Sequence, residues 1–355
     1  MDNKFTVLGI DTSNYTTSVA LVDDNGKILA DFRRLLSVKQ GERGLRQSDA
    51  VFQHMINFPQ IFEEMSDFLK IETKDLKSAL KLKAIAVSER PRPVEGSYMP
   101  CFRTGEAFAR TLATSLALPI FRFSHQEGHI EAALHGQEID FPSNFLCWHL
   151  SGGTCELLLV ENAYLEASKQ KFTDYQDMYT NSPAYNISII GGTLDISFGQ
   201  LIDRIGVRLG IPFPSGKYLD ELAYAETVSS RKFEQIFTKI KRKGLFFNIS
   251  GLETQIQRYI ESRIGKSENE QLTGYIASDL FEIIADLLMQ VSTEALGEEK
   301  IHHILFSGGV AESSYIRKRF KESKENDKYS FGFSNAKLSS DNAVGIALLG
   351  RKLLL

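Results

Sequence analysis

Cysteine is scarce in this chain, and neither sign of charge dominates it. The 355 residues include three cysteines, Cys101, Cys147 and Cys155. The number is odd and no pair has CxxC spacing. That argues against a disulfide framework and a cysteine zinc site, and it fits a reducing cytoplasm. Forty-one Lys and Arg stand against 45 Asp and Glu, a net charge of −4. No global basic field advertises nucleic acid, so any such contact must come from a local patch. No apolar run reaches the ~20 residues that span a bilayer. The opening MDNKFTVLGID has no cationic leader ahead of a long apolar stretch. A cytoplasmic protein without a membrane segment is expected. Hydrophobic residues make up 43% and charged residues 24%, as in ordinary globular proteins. The length exceeds what one core holds, so two domains are expected.

KFTVLGID (4–11) is a short β-rich run ending in an acid, SNYTT is a polar turn, and SVALVDD (18–24) is a second apolar run. Asn25-Gly26 is a strong turn signal before KILADFRRLL, so the chain opens as strand, turn, strand, turn, strand. A helical period follows over about 46–70, with Pro59 expected to interrupt it. LKAIAVS (82–88) reads as a buried strand, ERPRPVEGSYMP (89–100) as an irregular loop, TGEAFARTLATSLAL as a helix and PIFRFS as a strand. Then the opening pattern recurs in NFLCWHLSGGTCELLLVENAYLEASK, where Ser151 lies 140 positions after Asp11. The stretch 191–210 and the stretch 272–297 read as amphipathic helices. HHILFSGGVAESSYIRKRF is a strand, a double-glycine turn and a helix, and AVGIALLGRKLLL is a closing helix. Two similar α/β halves with a cleft between them are expected.

Several motifs carry candidate chemistry. The turns DTSNYTTS and SGGT leave backbone N–H groups open to phosphate oxygens, and both also read as plain hairpin turns. They nominate Asp11, Thr12 and Ser13 in the first turn, and Ser151, Gly152, Gly153 and Thr154 in the second. SGGVAESS before a helix can cradle a nucleotide, or can simply need glycine at a helix entry. His125 and His129 in FSHQEGHIEAAL are one helical turn apart, the spacing one metal ion needs for two imidazoles. The same pair could also lie on a solvated helix face. Glu127 lacks the HExxH spacing of a general base. Asp341 stands at the start of the closing helix, as a third ligand or as a plain cap. Asp195 and Asp203 lie eight residues apart in a stretch read as one helix, and acids there can hold ribose hydroxyls. Gly216 and Asp220 mark a loop–helix junction. The cysteines have no nucleophile setting, and no covalent protein nucleophile is expected.

Taken in order, DTSxxxTS, HxEGH, SGGT, GGTLDxxxGQxxDR, LGIPFPSG, SGGVA and SDNA resemble the actin-like transferases that make threonylcarbamoyladenosine in tRNA, a family formerly called O-sialoglycoprotein endopeptidases. The similarity runs from about residue 5 to 350. It implies an actin/Hsp70-like fold of two ribonuclease-H-type lobes, one of 1–125 plus 335–355 and one of 126–334. It implies a divalent metal, iron or zinc, on His125, His129 and Asp341. Ser151, Gly152, Gly153 and Thr154 would meet the phosphate and carbamoyl end of threonylcarbamoyl-adenylate. Asp203, Gly216 and Asp220 match residues that hold the ribose and base, and Ser313 fills the slot of an adenine-side asparagine. The acceptor would be tRNA, in concert with other proteins of a modification complex. KIKRKG (239–244) and KDLKSALKLK (74–83) are the basic stretches that could meet phosphates. Departures from the family pattern gather on the nucleotide side: TSNYTT replaces a turn with cysteine and acids, the 89–100 loop replaces GPG, and Thr154 and Ser313 replace histidine and asparagine. They leave two alternatives: a paralogue moving another carbamoyl or acyl group, and a non-catalytic nucleotide-binding subunit.

Overall fold

The computed structural model describes residues 5–13, 15–38, 45–71, 75–163, 179–180, 184–228, 236–263 and 269–355. The chain divides into two compact units. The first is Met1–His135, Glu161–Asn186 and Ser340–Leu355; the second is Gly136–Val160 and Ile187–Ser339.

The first unit opens as an antiparallel meander of β1 (Thr6–Thr12), β2 (Thr16–Asp23) and β3 (Ile28–Leu35). The β2–β3 turn relies on Gly26, whose φ of 83° only glycine adopts freely. Helix α1 (Gln47–Phe68) and the short α2 (Leu76–Leu80) lead to β4 (Leu82–Arg90), which pairs parallel with β1. Helix α3 (Pro100–Leu116) leads to β5 (Ile120–Ser124), parallel to β4, and β5 runs directly into α4 (His125–Leu134). β1 is buried along its whole length because strands flank it on both sides. Leu8, Ile10, Val19, Leu21, Ile85 and Val87 pack against Phe58, Ile61 and Ala109 of the helices. Each such side chain contributes about 1.5–3 kcal/mol by leaving water. Pro59 does not interrupt α1, contrary to expectation. Pro59 and Met55 both lie on the exposed face, so the carbonyl that proline leaves unpaired can bond to water.

The second unit begins with β6 (Asn144–Leu150) and β7 (Cys155–Asn162). A two-residue strand, β8 (Tyr179–Thr180), pairs with β5 in the first sheet. β9 (Tyr185–Thr193), α5 (Phe198–Arg208), α6 (Gly216–Val228), β10 (Arg242–Lys243), β11 (Phe246–Phe247), α7 (Ser250–Arg263) and α8 (Asn269–Glu299) follow. β12 (His303–Ser307), α9 (Ser314–Lys321) and β13 (Ser330–Phe333) complete it, with β12 parallel to both β6 and β13. The core gathers Trp148, Phe198 and Phe247 with Phe281 of α8. The buried Trp148 indole donates to Ser292 Oγ at 2.9 Å. Helix α10 (Val344–Lys352) returns to the first unit.

The sheets run β3-β2-β1-β4-β5-β8 and β10-β11-β9-β7-β6-β12-β13. Within each, the first five strands of the repeat take the order third, second, first, fourth, fifth. The repeat seen in the sequence is therefore a repeat of topology. The third strand expected over NAYLEASK falls mostly outside the described residues, and β9 takes the third place. The helix expected over 191–210 is shorter: residues to Thr193 finish β9, and Ser197 caps α5 by accepting from Gln200 N at 3.1 Å. All three cysteines are buried, and burial pushes the Cys101 and Cys147 thiols up to about 12. Among the described residues no helix is long and apolar enough to cross a membrane.

Candidate functional site

Ser124 and Glu127 form a capping box at the start of α4: Ser124 Oγ accepts from Glu127 N, and Glu127 accepts from Ser124 N. Glu127 also accepts from Ala184 N at 2.6 Å, so it is a structural acid. Residues 126–133 are buried, which rules out a solvated helix face for the histidine pair. Small residues let α10 come close. A Cβ on Gly345 would meet Gly128 O at 1.9 Å, and one on Gly9 would meet Ala343 O at 2.4 Å. The helices α4 and α10 and the strand β1 thus touch backbone to backbone. The first N–H groups of α10 are held by Asn342, just outside the helix, whose Oδ1 accepts from Val344 N at 3.0 Å and Gly345 N at 3.3 Å. The capping role considered for Asp341 belongs to its neighbour, and the Asp341 carboxylate turns to the histidines instead.

His125 Nε2 and His129 Nε2 are 3.0 Å apart. Asp341 Oδ1 lies 3.5 Å from the first and 3.3 Å from the second. Ligand atoms about 2.0–2.1 Å from a tetrahedral zinc sit about 3.3 Å from one another, so the three fit one ion. Asp11 Oδ2 bonds His125 Nδ1 at 2.8 Å. A carboxylate there accepts from Nδ1–H, so that in the neutral ring the lone pair is on Nε2, facing the cluster. Ser13 Oγ donates to Asp341 Oδ2 at 2.6 Å, and Ser13 N donates to Asp11 Oδ1 at 3.1 Å. Burial favours the neutral His125 ring, but the charge and hydrogen bond of Asp11, then those of Asp341, outweigh it and raise its pKa to about 10. Burial likewise opposes the Asp341 charge, yet the hydrogen bonds and charges of His125 and His129 hold its carboxyl well below the usual carboxylate range. The pocket is built to hold positive charge. Thr12, the remaining residue of the first turn, donates to Cys101 O and accepts from Gly105 N at the start of α3.

The second group of expected residues lies in the second unit. Gly152, Asp203, Gly216, Asp220 and Ser313 line one cavity of about 500 Å³, joined by Lys217. Asp203 Oδ1 accepts from Ser215 N at 2.8 Å just before α6. Asp220 accepts from Ser313 Oγ, from Ser314 N at 2.7 Å and from Tyr315 N at 3.1 Å. Three of its roughly four acceptor positions therefore serve the N-terminus of α9. Ser151, Gly153 and Thr154 form the β6–β7 turn. There Ser151 Oγ accepts from Gly153 N at 3.4 Å and Thr154 N at 3.0 Å. Contrary to the expectation from the sequence, Asp195 is not on a helix with Asp203. It precedes α5 and accepts from Ile249 N and Ser250 N at the start of α7, each at 3.0 Å. The basic stretches are partly spent on protein contacts: Arg242 pairs with Glu294, Lys239 with Asp286, and Lys77 donates to Leu116 O.

Two α/β units of one repeated strand order, the first carrying a His–His–Asp cluster, define an actin/Hsp70-like protein with a candidate metal centre. Solved structures share this fold. Full-length HypF in its phosphate- and nucleotide-bound form superposes with a TM-score of 0.51 at 12% identity, over 99% of this chain and 46% of that one. A ROK family protein from Streptococcus pneumoniae in complex with sucrose gives 0.50 at 12% identity, over 98% of each. The family model for tRNA N6-adenosine threonylcarbamoyltransferase matches residues 38–185 and 176–348. The transferase of that name from Neorickettsia sennetsu is 29% identical over 346 residues, 97% of this chain and 92% of that one. That of Persephonella marina is 26% identical over 98% of this chain and 89% of that one. The chain belongs to the tRNA N6-adenosine threonylcarbamoyltransferase family.

Proposed function

We propose that this transferase moves a threonylcarbamoyl group from threonylcarbamoyl-adenylate to the exocyclic amine of an adenosine in tRNA, with one divalent metal on His125, His129 and Asp341. What carries the reading is the convergence of those three side chains, whose ligand atoms all lie within 4.8 Å of one another, in a chain of this family. Two neutral imidazoles and a carboxylate suit zinc or ferrous iron. Bound there, the ion supplies Lewis acidity toward donor oxygens and a template for their placement.

The chain's own residues do the rest. Asp11 keeps His125 in the tautomer whose Nε2 faces the ion. Asp203 has one oxygen on Ser215 N, and its other oxygen suits a ribose hydroxyl of the adenylate in the cavity of the second unit. Gly216 opens that cavity at the start of α6. In the transfer, the adenosine amine nitrogen bonds to the carbamoyl carbon, the bond from that carbon to the phosphate oxygen breaks, and AMP leaves with the electron pair. The amine proton passes to solvent. A mixed anhydride already carries a good leaving group, so orientation and charge stabilisation suffice. A non-catalytic subunit would have no use for three assembled ligands. The reading places the protein in the cytoplasm with its tRNA and with the enzyme that makes the adenylate.

The test is direct. Purified protein is expected to carry about one transition metal per chain by elemental analysis, and His125→Ala is expected to lose it. Incubation with threonylcarbamoyl-adenylate and unmodified tRNA is expected to yield the modified nucleoside. Full metal retention in His125→Ala overturns the metal assignment. Adenylate binding without product overturns the transfer to tRNA.

A further inference from the structure

Beneath the metal cluster lies a buried histidine that the reading above does not use. His54, on α1, is wholly buried. Its Nε2 is 3.0 Å from the carbonyl of Ser13, and its Nδ1 is 2.8 Å from Thr17 Oγ1. Asn57 Nδ2 donates to Thr17 Oγ1 at 3.0 Å.

These contacts set the direction of every proton. A carbonyl only accepts, so the His54 Nε2 carries the hydrogen. In the neutral ring Nδ1 must then accept, and Thr17 supplies the hydroxyl proton while accepting from Asn57. Burial lowers the His54 pKa, against the opposing pull of the Ser13 carbonyl and Asp11, and so favours the neutral ring. The chain Asn57, Thr17, His54 therefore ends as one fixed donor aimed at the Ser13 backbone.

Ser13 is the hub on which the cluster turns. Its carbonyl is held by His54, its N–H by Asp11 and its hydroxyl by Asp341. The hydroxyl takes Asp341 Oδ2, which leaves Oδ1 toward both histidines. The N–H takes Asp11 Oδ1, which leaves Oδ2 for His125.

We propose that His54 is a positioning residue for the metal centre. Acting through the Ser13 carbonyl, it fixes which oxygen of Asp341 and which of Asp11 face the cluster. Groups that orient metal ligands without touching the ion typically tune affinity by about 10–100-fold. The inference rests on the metal reading above and goes one layer beneath it.

The experiment measures zinc and ferrous iron affinity by competition with a chromophoric chelator, alongside thermal melting. Wild type, His54→Ala, His54→Gln, Thr17→Val and His125→Ala are compared. His54→Ala is expected to bind the same single metal about 10–100-fold more weakly. In His54→Gln the side-chain amide can still donate to Ser13, so most of the affinity is expected to return. Thr17→Val keeps the volume but removes the hydroxyl that sets the tautomer, and a smaller loss is expected. A folded His54→Ala with wild-type affinity overturns the role of His54 and leaves the metal reading intact. If His54→Ala does not fold, Thr17→Val decides: unchanged affinity there overturns the proposal. Wild-type affinity in His125→Ala overturns the metal reading itself, and His54 falls with it.

Discussion

The turn between β1 and β2 and the turn between β6 and β7 stand at the same place in two sheets of one strand order, and each carries a serine. Ser151 Oγ accepts from N–H groups of its own turn. Ser13 Oγ reaches across 328 positions to Asp341. The neighbour decides between these uses. Beside the second turn stands the start of α5: a Cβ on Gly199 would meet Gly152 Cα at 2.7 Å, and Ser197 Oγ donates to Gly152 O at 2.6 Å. That packing occupies the turn with itself. Beside the first turn the glycine crossing of α4, α10 and β1 delivers a carboxylate and two imidazoles. A repeated backbone therefore does not repeat its chemistry; what packs against it assigns the role.

The crossing is the place to break this contrast most severely. A Cβ on Gly345 would lie 1.9 Å from a backbone oxygen, which no side-chain rotation relieves. Gly345→Ala is expected to cost about 3 kcal/mol and to weaken metal binding, read by denaturant melts with and without zinc. Gly216→Ala meets nothing nearer than Ile202 Cγ2 at 3.8 Å. It is expected to stay within about 0.5 kcal/mol of wild type.

The serines sharpen the contrast. Ser13→Ala removes the donor to Asp341 Oδ2 and is expected to lower metal affinity by about 10–100-fold. Ser151→Ala is expected to leave that affinity unchanged and to cost about 1 kcal/mol of stability. Equal metal affinities in the two variants would erase the distinction.

The smallest effect concerns acid. Burial opposes the Asp195 charge, but hydrogen bonds from Ser250, Ile249 and Ile196 prevail and hold its carboxyl down to about 2. Its contribution is present above the usual carboxylate range and is lost as pH falls from about 4 to about 2. Asp195→Asn is expected to flatten the pH dependence of the urea midpoint in that window. The His–His–Asp cluster of the first unit is expected to be indifferent to this change at neutral pH.

Much of this was legible in the chain. The β-meanders show as alternating apolar runs, and the His125–His129 pair announces itself by helical spacing. Asp341 follows from the resemblance. The groups that complete the cluster carry no local signal. Asp11 reaches His125 across 114 positions and His54 reaches Ser13 across 41, and no periodicity encodes pairs so far apart. The only hint was that the first strand ends in an acid. Local patterns left Asp341 open between ligand and cap, and they misassigned Asp195: Asn342 holds the first N–H groups of α10, and Asp195 serves α7. Either side chain could cap a helix, and tertiary contacts chose.

The discontinuity of the first unit has a consequence for biosynthesis. Both imidazoles are translated before residue 130, whereas the aspartate they await is encoded after the whole second unit. A ribosome that stalls anywhere between would release a product with two of the three cluster residues and an uncovered β1. On the proposed reading, the three-ligand set would be complete only once translation had passed Asp341, just ahead of α10.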